Sequence, residues 1–367
     1  MLEKDGGLRE MKKETKQWLK RAALLSCLLL TACGGANTAE TPKAEPANTE
    51  ATATGSQEKL KIGITQIIEH PALDASREGF IEALKDNGYI DGETIEIDYQ
   101  SAQGDPSTVN TISQKFVSDK KDAILAIATP SAQSLVKATE GTEIPLFFTA
   151  ITDPLSAKLV DNLENPGKNV TGYSDTHPEA IKRAMGAIHE LFPEAKKIGI
   201  IYNSGEANSV VNVENAKKAL VELGLEPVEA NASNGTEVLQ AAESLLGRAD
   251  LIYVPKDNTA VAALKAVVKV AEENDVPLFV GEMDSVKNGG FAGYGADYHD
   301  LGYQTGLMVV KVLKGEAKPG DLAVQFPDEI HLAVNKEAAA NQGIDLEKLM
   351  PIIEKHNPVF IEKIESK

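Results

Sequence analysis

At 367 residues the chain is longer than one hydrophobic core ordinarily serves, since single cores stop growing near ~250 residues, and two lobes are expected. A hydrophobic fraction of 42% with 25% charged residues is that of a soluble globular protein, so the bulk of the chain is not membrane-spanning. The formal charge is −18, and residues 1–32 carry seven Lys/Arg against four Asp/Glu, leaving −21 for the remainder; such acidity argues against nucleic acid or anionic lipid as the main partner.

Lys12, Lys13, Lys16, Lys20 and Arg21 precede the apolar run Ala22 to Leu30, a basic region followed by a core too short to span a bilayer. Residues 1–32 therefore read as an export signal. It ends in Leu30-Thr31-Ala32-Cys33-Gly34, which resembles the bacterial lipobox, with Cys33 as the lipidation site. Residues 33–58 are small and polar, with little to bury, and read as a flexible tether. Acyl chains, palmitate among them, plus that leash would hold the domain at the outer face of the bacterial cytoplasmic membrane. Both cysteines, Cys27 and Cys33, and the sole tryptophan, Trp18, lie in this N-terminal part, so no thiol chemistry is available beyond it.

Three stretches of the first half recur in the second, in the same order. Lys61-Ile-Gly-Ile-Thr65 returns as Lys197-Ile-Gly-Ile-Ile201, Asp122 to Ser131 is echoed from Asp250 to Thr259, and Ile144-Pro-Leu-Phe-Phe148 returns as Val276-Pro-Leu-Phe-Val280. Each is a short apolar run of the kind that forms a parallel strand buried on both faces. Helical patterns follow: Pro71 to Asn87, stopping at Gly88, and Asn208 to Leu223, stopping at Gly224. Strand alternating with helix predicts two doubly wound α/β lobes with parallel sheets. Phe291 to Ala296, a helix from about Leu301 to Leu313 and a strand at His331 to Asn335 are expected to complete both sheets. The N-terminal lobe is assigned 59–173 plus 292–323 and the C-terminal lobe 174–291 plus 324–357, with about three crossings forming a hinge.

Ligands of open α/β sheets bind beyond the carboxyl ends of the strands. Two facing lobes place two such rims against each other, and the rim segments here are unusually polar: Thr65 to His70, Thr129 to Gln133, Thr149 to Pro154, Tyr202 to Glu206, Asp257 to Thr259 and Gly281 to Ser285. Thr-Gln at 65–66, Ala-Thr-Pro-Ser-Ala-Gln at 128–133, Thr-Ala-Ile-Thr-Asp-Pro at 149–154, Asn-Val-Thr-Gly at 169–172, Tyr-Asn-Ser at 202–204 and Asp-Asn-Thr at 257–259 resemble the ABC transporter substrate-binding proteins of the TrpX type, from about Lys59 to Gly343. The resemblance implies a type I periplasmic-binding fold, an ABC permease with its cytoplasmic ATPase as partner, and in some members an aromatic amino acid as substrate.

A zwitterion needs donors for its carboxylate, acceptors for its ammonium and a pocket for its side chain. Ser131, Ala132 and Gln133 offer N–H groups and a hydroxyl at a helix start, where the dipole favours an anion; simple N-capping by Ser131 is the competing reading. Asp153, Asp257, Glu282 and Asp284 are candidates for the ammonium, each also readable as a cap or a solvated rim charge. Thr65, Gln66, Thr149, Asn203 and Asn258 would complete the hydrogen bonds. Tyr173, Tyr202 and Tyr294 are placed to form a wall or stack on a ring, and His70, beside Glu69, reads as a helix-start feature. No Walker A, dinucleotide or nucleophile-elbow motif and no metal spacing occurs, so an enzyme reading has no anchor and neither cofactor nor metal is expected. A monomer is expected. A receptor for another solute such as a sugar or nucleoside, a ligand-sensing signalling lipoprotein and a surface enzyme stay open as alternatives.

Overall fold

A computed structural model of the chain describes residues 58–177 and 179–365. The export signal, Cys33 and nearly all of the tether lie outside the described residues. The first lobe is built from β1 (Leu60–Gln66), α1 (Pro71–Asp86), β2 (Ile95–Ser101), α2 (Pro106–Ser118), β3 (Ala123–Ile127), α3 (Thr129–Ala138), β4 (Leu146–Ile151) and β5 (Val170–Ser174). Its five strands are all parallel, in the order β2-β1-β3-β4-β5. The continuous apolar runs of β3 and β4 are buried along their whole length, as strands covered on both faces must be. Prolines open α1, α2 and α3, where a missing N–H costs nothing, and α1 gives way to Gly88 at φ +85°.

The chain then enters the second lobe: α4 (Ala180–Leu191), β6 (Lys197–Tyr202), α5 (Ala207–Glu222), β7 (Glu226–Asn231), α6 (Val238–Leu245), β8 (Leu251–Val254), α7 (Asn258–Ala262), α8 (Leu264–Glu273), β9 (Leu278–Val280), α9 (Met283–Lys287) and β10 (Ala292–Gly295). It returns to the first lobe for α10 (Tyr298–Leu313) and ends in the second with β11 (His331–Asn335), α11 (Lys336–Asn341), α12 (Leu346–Ile353) and β12 (Val359–Ile361). The second sheet runs β12-β11-β10-β9-β8-β6-β7, and β11 lies antiparallel to β10. The sheet is therefore mixed rather than all-parallel.

The repeated segments occupy the same places in the two sheets: β1, β3 and β4 stand where β6, β8 and β9 stand. Even the stitching repeats. Asp122 accepts a hydrogen bond from the Lys61 N–H at 2.7 Å, and Asp250 accepts one from the Lys197 N–H at 2.8 Å. Ile62 pairs with Ala123 as Ile198 pairs with Leu251, so the register is preserved with the sequence.

Two lobe boundaries differ from the sequence-based assignment. Residues 292–295 were expected in the first lobe, but Ala292 and Gly293 pair with Phe279 and Val280, which places β10 in the second sheet. Residue 293 must be small there, because a Cβ would stand 2.4 Å from the Val280 carbonyl oxygen. Residues from 324 onward were expected in the second lobe, yet Gln325 bridges to Tyr173 at the edge of the first sheet and accepts from the Ser174 N–H at 2.8 Å. The crossings thus fall between Ser174 and Ala180, between Gly295 and Tyr298, and between Gln325 and His331. Helix α10 lies directly on α1: a Cβ at Gly302 would meet the Ser76 carbonyl oxygen at 1.8 Å, and one at Gly79 the His299 oxygen at 2.0 Å. Only glycine permits that approach.

Candidate functional site

The carboxyl ends of both sheets face each other across the crossings and enclose a narrow chamber of about 20 Å³. The first lobe contributes His70, Leu73, Thr129, Ala150 and Thr152, the crossings contribute Asp175 and Tyr298, and the second lobe contributes Asn208, Lys256, Asp257, Asn258, Val261 and Glu282. In this shut arrangement that is room for about one water molecule. Local backbone shapes the wall. Ala128, where β3 turns into α3, holds φ 73° and ψ 157°, and Ala150, near the end of β4, holds φ 57°. An alanine in the left-handed region is strained by roughly 1–3 kcal/mol, and such strain gathers at functional sites. In the second lobe Gly281 lets β9 exit against the 255–256 turn, where a Cβ would lie 2.8 Å from the Lys256 nitrogen.

Lys256 is the cation of the chamber. Its Nζ donates to the Asp175 carbonyl at 2.6 Å, to Thr176 Oγ1 at 3.2 Å and to Asp175 Oδ1 at 3.3 Å, while Asp175 Oδ2 accepts from the Tyr298 hydroxyl at 2.6 Å. Asp175 is tied to the first lobe through its own N–H, which donates to the Ile151 carbonyl at 3.0 Å. Lys256 therefore fastens the second lobe to the first. A second tie runs from Asn212 Nδ2 on α5 to Thr152 Oγ1 at 3.2 Å. Burial first, then the Asp175 charge, push the Tyr298 hydroxyl well above its ordinary range, so it acts as a donor.

The remaining acids of the wall are engaged within the second lobe. Asp257 caps α7 through Ala260 N at 2.6 Å and accepts from Asn203 N at 2.6 Å. Glu282 caps α9 through Ser285 N at 2.9 Å and binds the Ser285 hydroxyl. Burial, with the neighbouring charges of Glu206 and Asp284 respectively, raises both carboxyls to about 7. His70 is the opposite case: burial lowers it to about 4 against the pull of Asp74, so its ring is neutral. Among the described residues, three buried atoms of the wall have no hydrogen-bond partner, namely His70 Nδ1, Thr129 Oγ1 and Asn208 Oδ1. Among the described residues, a larger groove of about 840 Å³ also lies between the two rims, lined by Gln133, Asn203, Glu206 and Asn258, though by none of these orphaned atoms. Buried polar atoms without protein partners call for a water, an ion or a ligand group to complete them.

Residues 61–352 match the model of the ABC transporter substrate-binding protein family. The chain belongs to that family. It is 42% identical over 331 residues to a tyrosine-binding protein of Clostridioides difficile strain R20291, an alignment covering 89% of this chain and 91% of that one. Among solved structures, an ABC domain from Streptococcus pneumonia in complex with L-Trp is 35% identical, covers 83% of this chain and all of its own, and superposes with a TM-score of 0.76. The ligand-free, open structure of a substrate-binding protein with adhesive properties from Clostridium difficile is 41% identical, with 83% and 99% coverage, yet its TM-score is 0.60. The more divergent, ligand-bound relative thus superposes better than the open one, in keeping with the shut chamber between these lobes.

Against that geometry the sequence candidates of this binding protein separate. Asp257, Asn258 and Glu282 stand on the chamber wall. Thr65, Ser131 and Thr149 are fully buried with unpartnered hydroxyls but do not line the chamber, and Ser131 makes no cap: Ala128 occupies the N-cap of α3 without a side-chain bond. The Ala132 N–H is used within the helix, bonding the Ala128 carbonyl at 3.1 Å. Gln66 is held inside the first lobe by Asp74 and Arg77, and Gln133 donates to the Ala157 carbonyl. Asp153 caps its own turn through Leu155 N and Ser156 N, both at 3.0 Å. Tyr202 donates to Glu229 at 2.6 Å, Asn203 to Thr259 at 2.9 Å, and Asp284 pairs with Lys287 at 2.8 Å. Tyr173 lines a groove behind the hinge, and Tyr294 bonds His356.

His70 does more than start a helix, for it sits at the N-cap position of α1 and on the chamber wall. Asp175, Asn208, Lys256 and Tyr298 were not singled out from sequence. A signal existed for two of them: Lys256 directly follows an apolar strand and its proline, and Asp175 directly follows β5. For Asn208 and Tyr298, both on helices, only the fold reveals the role.

Proposed function

We propose that this chain receives an aromatic amino acid between its lobes and delivers it to an ABC permease driven by a cytoplasmic ATPase. The observation that carries the reading is the interlobe chamber with its orphaned buried atoms from both lobes. Leu73, Ala150 and Val261 supply apolar wall, and polar groups of both lobes surround it, so opening of the lobes would admit a solute between them. The names borne by two relatives, one tyrosine-binding and one solved with L-Trp, support the ligand class. Closure follows by population shift, because a guest gains contacts to both lobes only when they are shut. The protein acts as a monomer, held to the outer face of the membrane by lipid on Cys33, and releases its ligand chemically unchanged.

Calorimetry on residues 34–367, which lack tryptophan, tests the ligand class. L-tyrosine, L-tryptophan or L-phenylalanine should bind, and the bound compound should be recovered intact after long incubation. Binding of a sugar or nucleoside with none of the three would overturn the reading. For the anchor, Cys33→Ala should abolish palmitate labelling and release the protein into the medium.

A further inference from the structure

Asparagine followed by glycine occurs three times in the chain, at 87–88, 234–235 and 288–289. In such a pair the backbone nitrogen of the glycine can reach the amide carbon of the asparagine, because no side chain on the second residue stands in its way. The fold treats the three pairs differently. The Gly88 N–H donates to the Lys85 carbonyl at 3.0 Å and the Gly289 N–H to the Val286 carbonyl at 3.3 Å, so both nitrogens are engaged at the ends of helices. Each preceding amide is drawn back onto its own helix: Asn87 Nδ2 donates to the Ala83 carbonyl at 2.9 Å, and Asn288 Nδ2 to the Asp284 carbonyl at 2.7 Å. Among the described residues the Gly235 N–H has no acceptor, and Gly235 is exposed together with Asn234.

The Asn234 amide is also prepared for attack. Its Oδ1 accepts from the Thr236 N–H at 3.0 Å and from the Thr236 hydroxyl at 2.5 Å, two donors that polarise the carbonyl and steady the negative charge that grows on oxygen as a nucleophile adds. Its Nδ2 donates to Glu237 Oε1 at 2.9 Å, so a carboxyl group stands beside the nitrogen that must leave. Glu237 is itself held, accepting from the Ser233 N–H at 2.9 Å and donating its own N–H to the Asn234 carbonyl at 3.1 Å. These partners fix which end of the amide is which, since an N–H only donates and a carboxylate only accepts.

The geometry points to Asn234 as a site of spontaneous, irreversible deamidation. The Gly235 nitrogen bonds to Cγ and loses its proton, the Cγ–Nδ2 bond breaks, and Nδ2 departs with that proton as ammonia, leaving a succinimide ring. Water then opens the ring at Cγ to give isoaspartate's isomer aspartate through the main-chain link, or at the Asn234 backbone carbonyl carbon to give isoaspartate, with no change of oxidation state. Either product replaces a neutral amide by a carboxyl group and deletes the donor that Glu237 held, so two acids meet at the start of α6. Ser233, Asn234 and Gly235 belong to the second-lobe bank of the groove of about 840 Å³ between the rims, which therefore gains negative charge as the molecule ages.

Peptide mapping by mass spectrometry, on folded protein incubated at neutral pH, tests the assignment. The mass gain of an amide exchanged for an acid should accumulate at Asn234 well ahead of Asn87 and Asn288 in the same molecules, and in urea the three pairs should converge. Gly235→Ala has room for its methyl, the nearest atom to a Cβ being the Ala263 Cβ at 3.8 Å, and should bring Asn234 down to the level of the other two. Thr236→Val, which keeps the N–H and removes the hydroxyl, should slow conversion by about tenfold, less than at a buried oxyanion site because water can stand in at an exposed one. Conversion at Asn234 no faster than at the other two pairs, a preference that persists in urea, or a Thr236→Val rate equal to wild type would overturn the inference. The wild-type comparison is internal to one chain, so it decides alone should a variant fail to fold.

Discussion

Replacing Lys256 by methionine removes the strongest fastening between the lobes while keeping the length of the side chain. Lys256 and Asp175 expose only 7% and 4% of their side chains, so the pair is shielded from solvent. Deleting one member of a buried pair ordinarily costs about 3–5 kcal/mol, because the other charge is stranded. Asp175 is not wholly stranded here, since it keeps the Tyr298 hydroxyl at 2.6 Å and the Thr176 hydroxyl at 2.7 Å. The loss should therefore be nearer ~2 kcal/mol, as for hydrogen bonds to a charged group. It falls on the closed arrangement, because the bonds join the lobes and leave each core intact. At about 1.4 kcal/mol per tenfold, ligand affinity should drop roughly 30-fold, with the ligand-free melting temperature little changed. Calorimetry with L-tyrosine and L-tryptophan reads the first, and the radius of gyration from solution scattering should show a larger open fraction. A variant that melts early yet binds within about twofold of wild type would refute the fastening. So would a double-mutant cycle with Asp175→Asn that shows no coupling.

Three further outcomes follow from other parts of the molecule. Glu282 is raised to about 7 in the folded protein, above its unfolded value of 4.5. Between those values the folded state keeps a proton that the unfolded state gives up, so stability falls as pH rises through the window and the loss is complete above about 7. Glu282→Gln, which retains an acceptor for Ser285, should match wild type near about pH 4 and melt progressively higher than it toward about pH 8; a constant difference across pH would contradict the burial argument. Gly302→Ala forces a Cβ to within 1.8 Å of the Ser76 carbonyl oxygen and should destabilise by about 3 kcal/mol or more, read by urea unfolding, with near-neutral behaviour refuting the helix contact. Ala128→Gly relieves a backbone at φ 73° and should raise stability by about 1 kcal/mol in the same assay, whereas a loss would mean that no strain is stored there.

The sheets were legible because their strands are continuous apolar runs that no surface element would carry, and because the runs repeat in order. Lys61 and Lys197 open corresponding strands, and the fold places them where the repeat implied. Residues 292–295 misled because Ala-Gly-Tyr-Gly has no strong strand composition, and its sheet is decided by a close approach to Val280 that sequence does not display. The chamber was legible only by location. Asp257 and Glu282 stand three residues before Ala260 and Ser285, the spacing of a helix cap, and the same spacing suits a rim acid, so residue type could not separate the roles.

The seating of α10 on α1 constrains how the molecule comes into being. Ser76 and Tyr298 meet across 222 positions of sequence, and the glycines of both helices close the seam between them. As synthesis proceeds from the N-terminus, the earlier half emerges with one flank of its sheet bare, and it stays so until about residue 313 has been made. The later half is incomplete at that point as well, because its sheet lacks β11 and β12 until residue 361 has been made. Neither lobe is whole until most of the chain has been made, and any fragment ending at the first crossing should be sticky rather than folded.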